Sequence, residues 1–174
     1  MTQLEFWAPG TPRTKGSVVS MPNGFVDHGD AVRERERVIA DAAEIAIKVR
    51  GWVTVRSPLA VEVTHYAFVP APPGADVDQA PVQPGDRDLD KLARLLGDAG
   101  TRAGIWGDDV QVVRIIAEKH YADTARGIMP GEYIAVRTLA SGHSLRRMRA
   151  ESISAMARET AAGVGARMPV PRGW

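Results

Sequence analysis

The spacing of apolar residues alternates along the chain between two regular patterns. Apolar residues at every second position are typical of strands, and apolar residues at every third or fourth position are typical of amphipathic helices. The first pattern predicts strands at 4–7, 17–21, 58–69, 110–121 and 132–139. The second predicts helices from 30 to about 50, from 89 to about 100 and from 145 to 161. This order predicts an α+β fold, in which helices pack on one face of a small mixed β-sheet and one further helix is appended at the C-terminal end.

Several of these elements lead to more specific expectations. The segment 110–121 is the richest in β-branched residues, which favours a central strand, and 132–139 is expected to pair with it as a hairpin partner. Asp30 is expected to cap the first helix. The charged run at 33–37 is expected to lie in solvent, with its charges paired along the helix surface. Trp106 is expected in the core, where it anchors the turn that follows it.

A proline-rich stretch and a basic tail set the expected domain organisation. Residues 70–86 contain five prolines and show no periodicity, and loops of this length in a compact domain are usually functional or disordered. The predicted strands are complete near residue 138. The sequence therefore predicts one domain at 1–138 and a helical extension with a loose tail at 139–174.

Composition narrows the class of protein. Of the 174 residues, 44% are hydrophobic and 25% are charged, as in ordinary globular domains. The absence of cysteine excludes disulfide bonds and thiolate zinc sites. No apolar run approaches the roughly 20 residues that a membrane span requires, and the first residues lack the basic and apolar regions of a secretion signal. We therefore expect a cytoplasmic protein that does not cross a membrane.

Charge is distributed unevenly, although the net charge is only +1. Residues 139–174 carry six arginines and two glutamates, a balance of +4, which leaves −3 for residues 1–138. If residues 1–138, with their net negative charge, bind a polyanion such as a nucleic acid, the repulsion between the two must be offset. Bound divalent cations are one means of doing so. Basic tails often serve only solubility, so this asymmetry alone assigns no function.

Aspartates are concentrated in two short stretches that carry the candidate chemistry. Asp88 and Asp90 stand at alternate positions where an extended segment is expected to enter a helix, so their side chains are expected on the same side. One helix and one turn then lead to the Asp108–Asp109 pair, a connection that can bring Asp109 back beside Asp88 and Asp90. Clustered carboxylate oxygens suit hard cations such as Mg²⁺ or Mn²⁺, and such ions activate water for phosphodiester hydrolysis.

The same aspartates are also typical of two other kinds of site. An EF-hand calcium loop is excluded, because Lys91 and Gly97 occupy the positions that require glycine and a bidentate glutamate. A purely structural role remains open from the pattern alone, since aspartates often cap helices and mark turns.

The same region resembles a known protein family. The matching residues are Asp86-Arg87-Asp88-Leu89-Asp90-Lys91-Leu92, Leu96-Gly97-Asp98-Ala99 and Ala103-Gly104-Ile105-Trp106-Gly107-Asp108-Asp109-Val110-Gln111-Val112. They are similar to the Arg-Asp-Leu-Asp-Asn and Trp-x-Asp-Asp-x-Gln motifs of the RusA family of Holliday-junction resolvases, with the same spacing. The resemblance covers roughly residues 3–138, is strongest at 86–114, and does not include the tail.

The resemblance implies a homodimeric, magnesium-dependent endonuclease, with Mn²⁺ able to substitute. Such an enzyme resolves four-way DNA junctions by paired nicks in recombination and repair, and its small size would suit a phage or prophage. Carried over by position, Asp88, Asp90 and Asp109 become the metal-binding catalytic carboxylates, and Asp108 becomes an adjoining group. Alternatives left open are a preference for forks, flaps or other branched DNA, and a non-catalytic DNA-binding module with a structural metal site.

Basic residues around these aspartates are the candidate phosphate contacts. Arg94 occupies the family's lysine position, where a guanidinium can hold a phosphate but cannot readily donate a proton. Lys91 replaces the family's asparagine, and Arg87 adjoins the carboxylates. Arg13 and Lys15 lie in a turn framed by glycine and proline that would present them to DNA.

Overall fold

A computed structural model describes residues 3–15, 29–82 and 87–139. Contacts divide the chain into two compact units, Met1–Leu139 and Ala140–Trp174, and every described residue belongs to the first. The predicted strand at 17–21 and the predicted helix at 145–161 lie outside the described residues. The helices and strands, in chain order, are β1 (Gln3–Pro9), α1 (Asp30–Arg50), β2 (Ala60–Pro70), α2 (Leu89–Ala103), β3 (Val112–Ala122) and β4 (Gly131–Leu139).

The four strands form one mixed sheet in the order β1-β4-β2-β3. β4 pairs antiparallel with both β1 and β2, whereas β2 and β3 are parallel. Residues from both helices share one apolar core with alternate residues of the strands, among them Ile39, Leu95, Phe6, Val63 and Ile134. The predicted α+β fold, with a mixed sheet and helices on one face, is confirmed. No helix among the described residues has the length and apolar character to cross a membrane.

Two predictions about the last strands were wrong. Within the described residues β3 lies at the edge of the sheet rather than in its centre, and β4 pairs with β1 and β2 rather than with β3. β-Branched residues favour extended backbone but do not determine a strand's place in the sheet. Val113 and Ile115 of β3 remain 46% and 47% exposed, as an edge position allows.

The start of α1 also differs from its prediction. Gly29 occupies the position before the helix, and Asp30 lies in the first turn without a side-chain capping bond. The Asp30 carboxylate instead accepts a hydrogen bond of 2.6 Å from Arg33. The predicted cap at Asp30 was therefore wrong.

Arg35 corrects the prediction of a fully solvated charged run. Its side chain is only 4% exposed and donates to Glu132 of β4 at 2.7 Å, to the carbonyl of Ala8 at 2.9 Å, and to the carbonyl of Pro9. Arg35 lies four residues before the buried Ile39, so both point from the same face of α1. One charged residue of the run therefore joins α1 to β1 and β4.

Trp106 is buried, as predicted, and holds the end of α2 against the turn that follows. Its side chain is 1% exposed, and its indole N–H donates to the hydroxyl of Thr101 at 3.0 Å. Gly104 caps the C-terminal end of α2 in the left-handed conformation, with a φ of 76° that glycine tolerates without strain. These contacts set the path of the chain toward Asp109.

Candidate active site

Asp90 and Asp109 line one pocket, although 18 residues separate them in the sequence. Asp90 lies in the first turn of α2, and Asp109 begins a short 3-10 helix, Asp109–Gln111, directly before β3. The pocket has a volume of about 450 Å³. Its apolar walls come from the helix, the turn and the sheet, and include Val63, Leu96, Trp106, Val112 and Ile115. Folding therefore brings two of the predicted carboxylates to one cavity.

Asp108 and Gln111 fix the backbone that presents Asp109. The Asp108 carboxylate accepts a hydrogen bond of 2.9 Å from the N–H of Val110, and the Gln111 side chain accepts one of 3.2 Å from the N–H of Asp108. The Gln111 amide also donates to the carbonyl of Leu59 at 2.9 Å. This reciprocal arrangement is a capping box. Asp108 therefore has a structural task beside the site, and the sequence reasoning assigned no role to Gln111.

The side chain of Asp109 lies against α2 next to Gly97. A Cβ atom at Gly97 would lie 3.8 Å from both the Cβ and the Oδ2 of Asp109. No hydrogen bond or ion pair to another described residue engages the Asp109 carboxylate. Asp109 thus lies next to the helix that carries Asp90, and within the described part of the chain its carboxylate oxygens have no bonding partner.

Asp88 occupies the N-cap position of α2 but is engaged elsewhere. Its carboxylate makes no capping bond and lies 2.5 Å from the ammonium of Lys91, with 57% of the side chain exposed. The hydrogen bond and charge of Lys91, followed by the charge of Lys119, lower the pKa of Asp88 below its ordinary value. The carboxylate is therefore ionised and paired with a cation.

Asp88 and Asp90 do not share a direction in the way the sequence suggested. That expectation assumed extended backbone through both residues, but α2 begins at Leu89. Asp88 therefore keeps extended backbone as the N-cap residue, whereas Asp90 lies in the first helical turn. Asp90 lines the pocket and Asp88 pairs with Lys91, and the role of all three aspartates as metal ligands stays a prediction.

Arg94 lies one turn after Asp90 and lines the same pocket. Its guanidinium Nη2 is 3.6 Å from Oδ2 of Asp90, and its side chain is 55% exposed. The residue at the family's lysine position therefore presents its positive charge beside a candidate ligand.

The N-terminal loop reaches the same helix through Lys15. The backbone N–H of Lys15 donates to the carbonyl of Lys91 at 3.3 Å, and its ammonium forms an ion pair with Asp98. Asp98 also lines the pocket, and although it fell within the matching motif, the sequence reasoning gave it no role. Lys15 lies beside the site in an ion pair, whereas Arg13 of the same loop is exposed.

Lys119 is a further residue that the sequence reasoning did not place near the site. It pairs in register with the buried Ala67 of β2, so it projects from the helix-covered face of the sheet. Its ammonium donates to the carbonyl of Arg87 at 2.8 Å. The alternation of residues along β3 could have indicated which of them share a face with Lys119. Only the register with β2 shows that this face is the one covered by the helices.

The chain matches the family model described as endodeoxyribonuclease RusA over residues 17–129. This chain belongs to the RusA family. Nucleases of the RusA family resolve branched DNA, generally with a divalent metal, and are commonly encoded by phages. The resemblance inferred from the motifs is confirmed. No curated protein matches the chain significantly.

The residues present in this RusA-family protein suit a hard divalent cation. Among the described residues, no three acidic or histidine side chains approach closely enough to form a ready metal cluster. However, Mg²⁺ usually binds through one or two carboxylates and completes its shell with waters and substrate phosphates. Asp90 and Asp109 offer such a pair at one pocket, and Asp88 directly precedes the helix that carries Asp90. The donor set therefore fits a divalent metal ion, on which nucleases of the family generally depend.

Proposed function

We propose that this RusA-family protein is a magnesium-dependent endonuclease that resolves four-way DNA junctions by paired nicks in recombination and repair. The observation that carries the proposal is the convergence of Asp90 and Asp109 on one pocket beside Arg94. Both carboxylates are exposed, and neither makes a capping hydrogen bond among the described residues, which favours a catalytic role over a purely structural one.

Each side chain has a distinct part in this reaction. Asp90 and Asp109 would hold Mg²⁺ or Mn²⁺, and Asp88 would join them by exchanging its bond to Lys91. The bound ion supplies an activated water and stabilises charge on the scissile phosphate. Arg94 offsets the phosphate's negative charge near Asp90 but cannot readily release a proton.

Recognition of DNA is proposed to rest on basic residues around the pocket and on a homodimer. Arg13, Arg87 and Lys91 would contact phosphates, and Lys15 would do so by exchanging its bond to Asp98. Symmetric nicks in two strands call for two related active sites, which a two-fold dimer provides. Binding is expected to weaken steeply with salt because phosphate contacts release counterions. The proposed setting is the cytoplasm of a bacterial host of a phage or prophage.

Replacing the carboxylates one at a time tests the proposal. Labelled four-way, forked and linear duplexes are incubated with magnesium, with and without a chelator. Asp88→Asn, Asp90→Asn and Asp109→Asn are expected to abolish nicking while junction binding survives. Asp78→Asn is the matched control, because Asp78 is also exposed and paired with an arginine, Arg126, but lies outside the pocket. Substantial nicking by the first three variants would refute the assigned site. Faster cutting of forks than of four-way junctions by the unsubstituted protein would show that forks are the preferred substrate.

A non-catalytic DNA-binding module with a structural metal is the second candidate. It is favoured by one observation: Asp88 and Asp90 already have cationic neighbours within the chain, Lys91 and Arg94. Under this alternative magnesium raises the melting temperature, but no strand of any DNA is cut.

A further inference from the structure

Lys119 links the sheet to the segment that carries the first candidate ligand. Its side chain is half-buried and donates a 2.8 Å hydrogen bond to the carbonyl of Arg87, the residue directly before Asp88. The bond joins β3 to backbone 32 positions earlier in the chain. It restrains a main-chain group rather than pairing with a side chain.

Asp88 needs such a restraint more than the other two aspartates. Asp90 is held by α2, whose Leu92 and Leu95 are fully buried, and Asp109 is held by the capping box around Asp108. Asp88 has extended backbone and makes no side-chain capping bond. The carbonyl of Asp88 accepts a hydrogen bond of 3.1 Å from the N–H of Leu92, which holds the residue on its C-terminal side. The direction of its side chain therefore depends further on how the backbone at Arg87 is held on the N-terminal side.

We propose that Lys119 is a positioning residue of the cleavage reaction, which fixes the backbone at Arg87 so that Asp88 can join Asp90 and Asp109 around the divalent ion. This inference rests on the proposed nuclease function and adds to it a residue of the edge strand β3, far in sequence from Asp88 and Asp90. Lys119 need not touch DNA or the reacting atoms for this role.

Two effects of Lys119 on metal affinity have opposite signs, which makes the role testable. Its ammonium lies close enough to Asp88 to interact with it electrostatically, and a positive charge there repels a metal ion. Its hydrogen bond to Arg87 orders a ligand and so favours the ion. Removing Lys119 tightens metal binding if charge dominates and weakens it if positioning dominates.

The experiment measures binding of Mn²⁺ to the full chain without DNA, by calorimetry, together with cleavage of four-way junctions. Lys119→Met is expected to weaken Mn²⁺ binding and to lower kcat by about 10- to 100-fold, as supporting residues of metal sites typically do. The melting temperature and the affinity for junction DNA are expected to stay the same. Lys119→Arg keeps a donor for the carbonyl and is expected to recover most of the loss. Arg114→Met is the matched control, since Arg114 is also a cation of β3 but bonds Glu62 on the other face.

A double-substitution cycle identifies the residue through which Lys119 acts. In an Asp88→Asn background, Lys119→Met is expected to cause no further loss of Mn²⁺ affinity, because the positioned ligand is already gone. Tighter or unchanged Mn²⁺ binding in Lys119→Met, or an equal loss in both backgrounds, would overturn the inference. If Lys119→Met does not fold, the test rests on Lys119→Arg alone. The inference is then overturned if Lys119→Arg cleaves junctions at the full rate although its Mn²⁺ affinity is not restored. Failure of the unsubstituted protein to cut any branched DNA would instead overturn the proposed function.

Discussion

The indole ring of Trp106 occupies the space in which any side chain on Gly100 would lie. A Cβ atom at Gly100 would come within 2.2 Å of Cζ2 of the ring. This contact lets the chain after α2 turn back directly against the helix, three residues before Asp109. The absence of one side chain on the helix thus determines how closely the two halves of the pocket approach.

Gly100→Ala is expected to destabilise the protein and to impair cleavage. The added methyl group meets a buried ring, and overpacking of this kind costs about 1–3 kcal/mol of unfolding free energy. Displacement of Trp106 would also move Asp109 away from Asp90. Denaturant unfolding measures the first effect, and junction cleavage below the unfolding transition measures the second.

Gly97→Ala is the control for this prediction, because it places a methyl group on the same helix at an ordinary contact distance of 3.8 Å from Asp109. Its unfolding free energy is expected to stay equal or to rise by about 0.5–1 kcal/mol, since alanine favours helix more than glycine does. Equal stability losses for the two substitutions would contradict the role assigned to the Gly100–Trp106 contact.

Lys91→Gln is expected to tighten metal binding. Lys91 lies 2.5 Å from Asp88 and competes with a cation for that carboxylate. Exposed pairs of this kind are weak, so the expected gain in Mn²⁺ affinity is about two- to five-fold. Calorimetry without DNA measures it, because Lys91 is also a proposed phosphate contact. Lys48→Gln, at an exposed position of α1, is the control. Weaker Mn²⁺ binding by Lys91→Gln would show that Lys91 supports the site instead.

Arg94→Ala is expected to reduce kcat, whereas Arg94→Lys is expected to retain or increase it. The guanidinium stands 3.6 Å from Asp90 in the pocket, and removing one charge-stabilising donor typically lowers kcat by about 100-fold or more. Lysine keeps the charge and adds a transferable proton. Arg102→Ala is the control on the same helix, since Arg102 pairs with Glu36 outside the pocket. An unaffected rate in Arg94→Ala would exclude Arg94 from catalysis.

Glu132→Gln is expected to destabilise the fold without a direct effect on the pocket. Glu132 is 1% exposed and pairs with the buried Arg35. Removing one partner leaves a buried charge uncompensated, which costs about 3–5 kcal/mol of unfolding free energy. Glu34→Gln removes an exposed pair with Arg37 and is expected to change stability little. Similar losses in both variants would contradict the buried pair's role.

The same pair predicts how stability depends on pH. Burial raises the pKa of Glu132, but its interactions with His65 and Arg35 outweigh burial and hold the pKa below its ordinary value of 4.5. A lowered pKa means that the carboxylate stabilises the fold above about pH 4.5 and loses that contribution as the pH falls through the folded-state value. The unfolding free energy of the unsubstituted protein should therefore fall more steeply in acid than that of Glu132→Gln. Parallel curves would refute this assignment.

Local pattern in the sequence was enough for the elements and for the motif. Helix α2 followed from apolar residues three and four apart, such as Leu92 and Leu96, because helix geometry places those positions on one face. The matching motif around Asp88 and Asp109 located the candidate site. A motif of this kind can be recognised from the residue types and their spacing along the chain, without knowledge of the fold. Burial of Trp106 followed from its size and apolar character.

Only the tertiary structure decided how these elements meet. The insertion of β4 between β1 and β2, the burial of Arg35 against Glu132 and the reach of Lys119 to Arg87 all join residues distant in the chain. Such pairings depend on which surfaces remain uncovered once the other elements are in place. The spacing of apolar residues within one element does not contain that information. Asp90 and Asp109 line one pocket because Gly100 lets Trp106 pack against α2, which makes a missing side chain as decisive for the site as the carboxylates themselves.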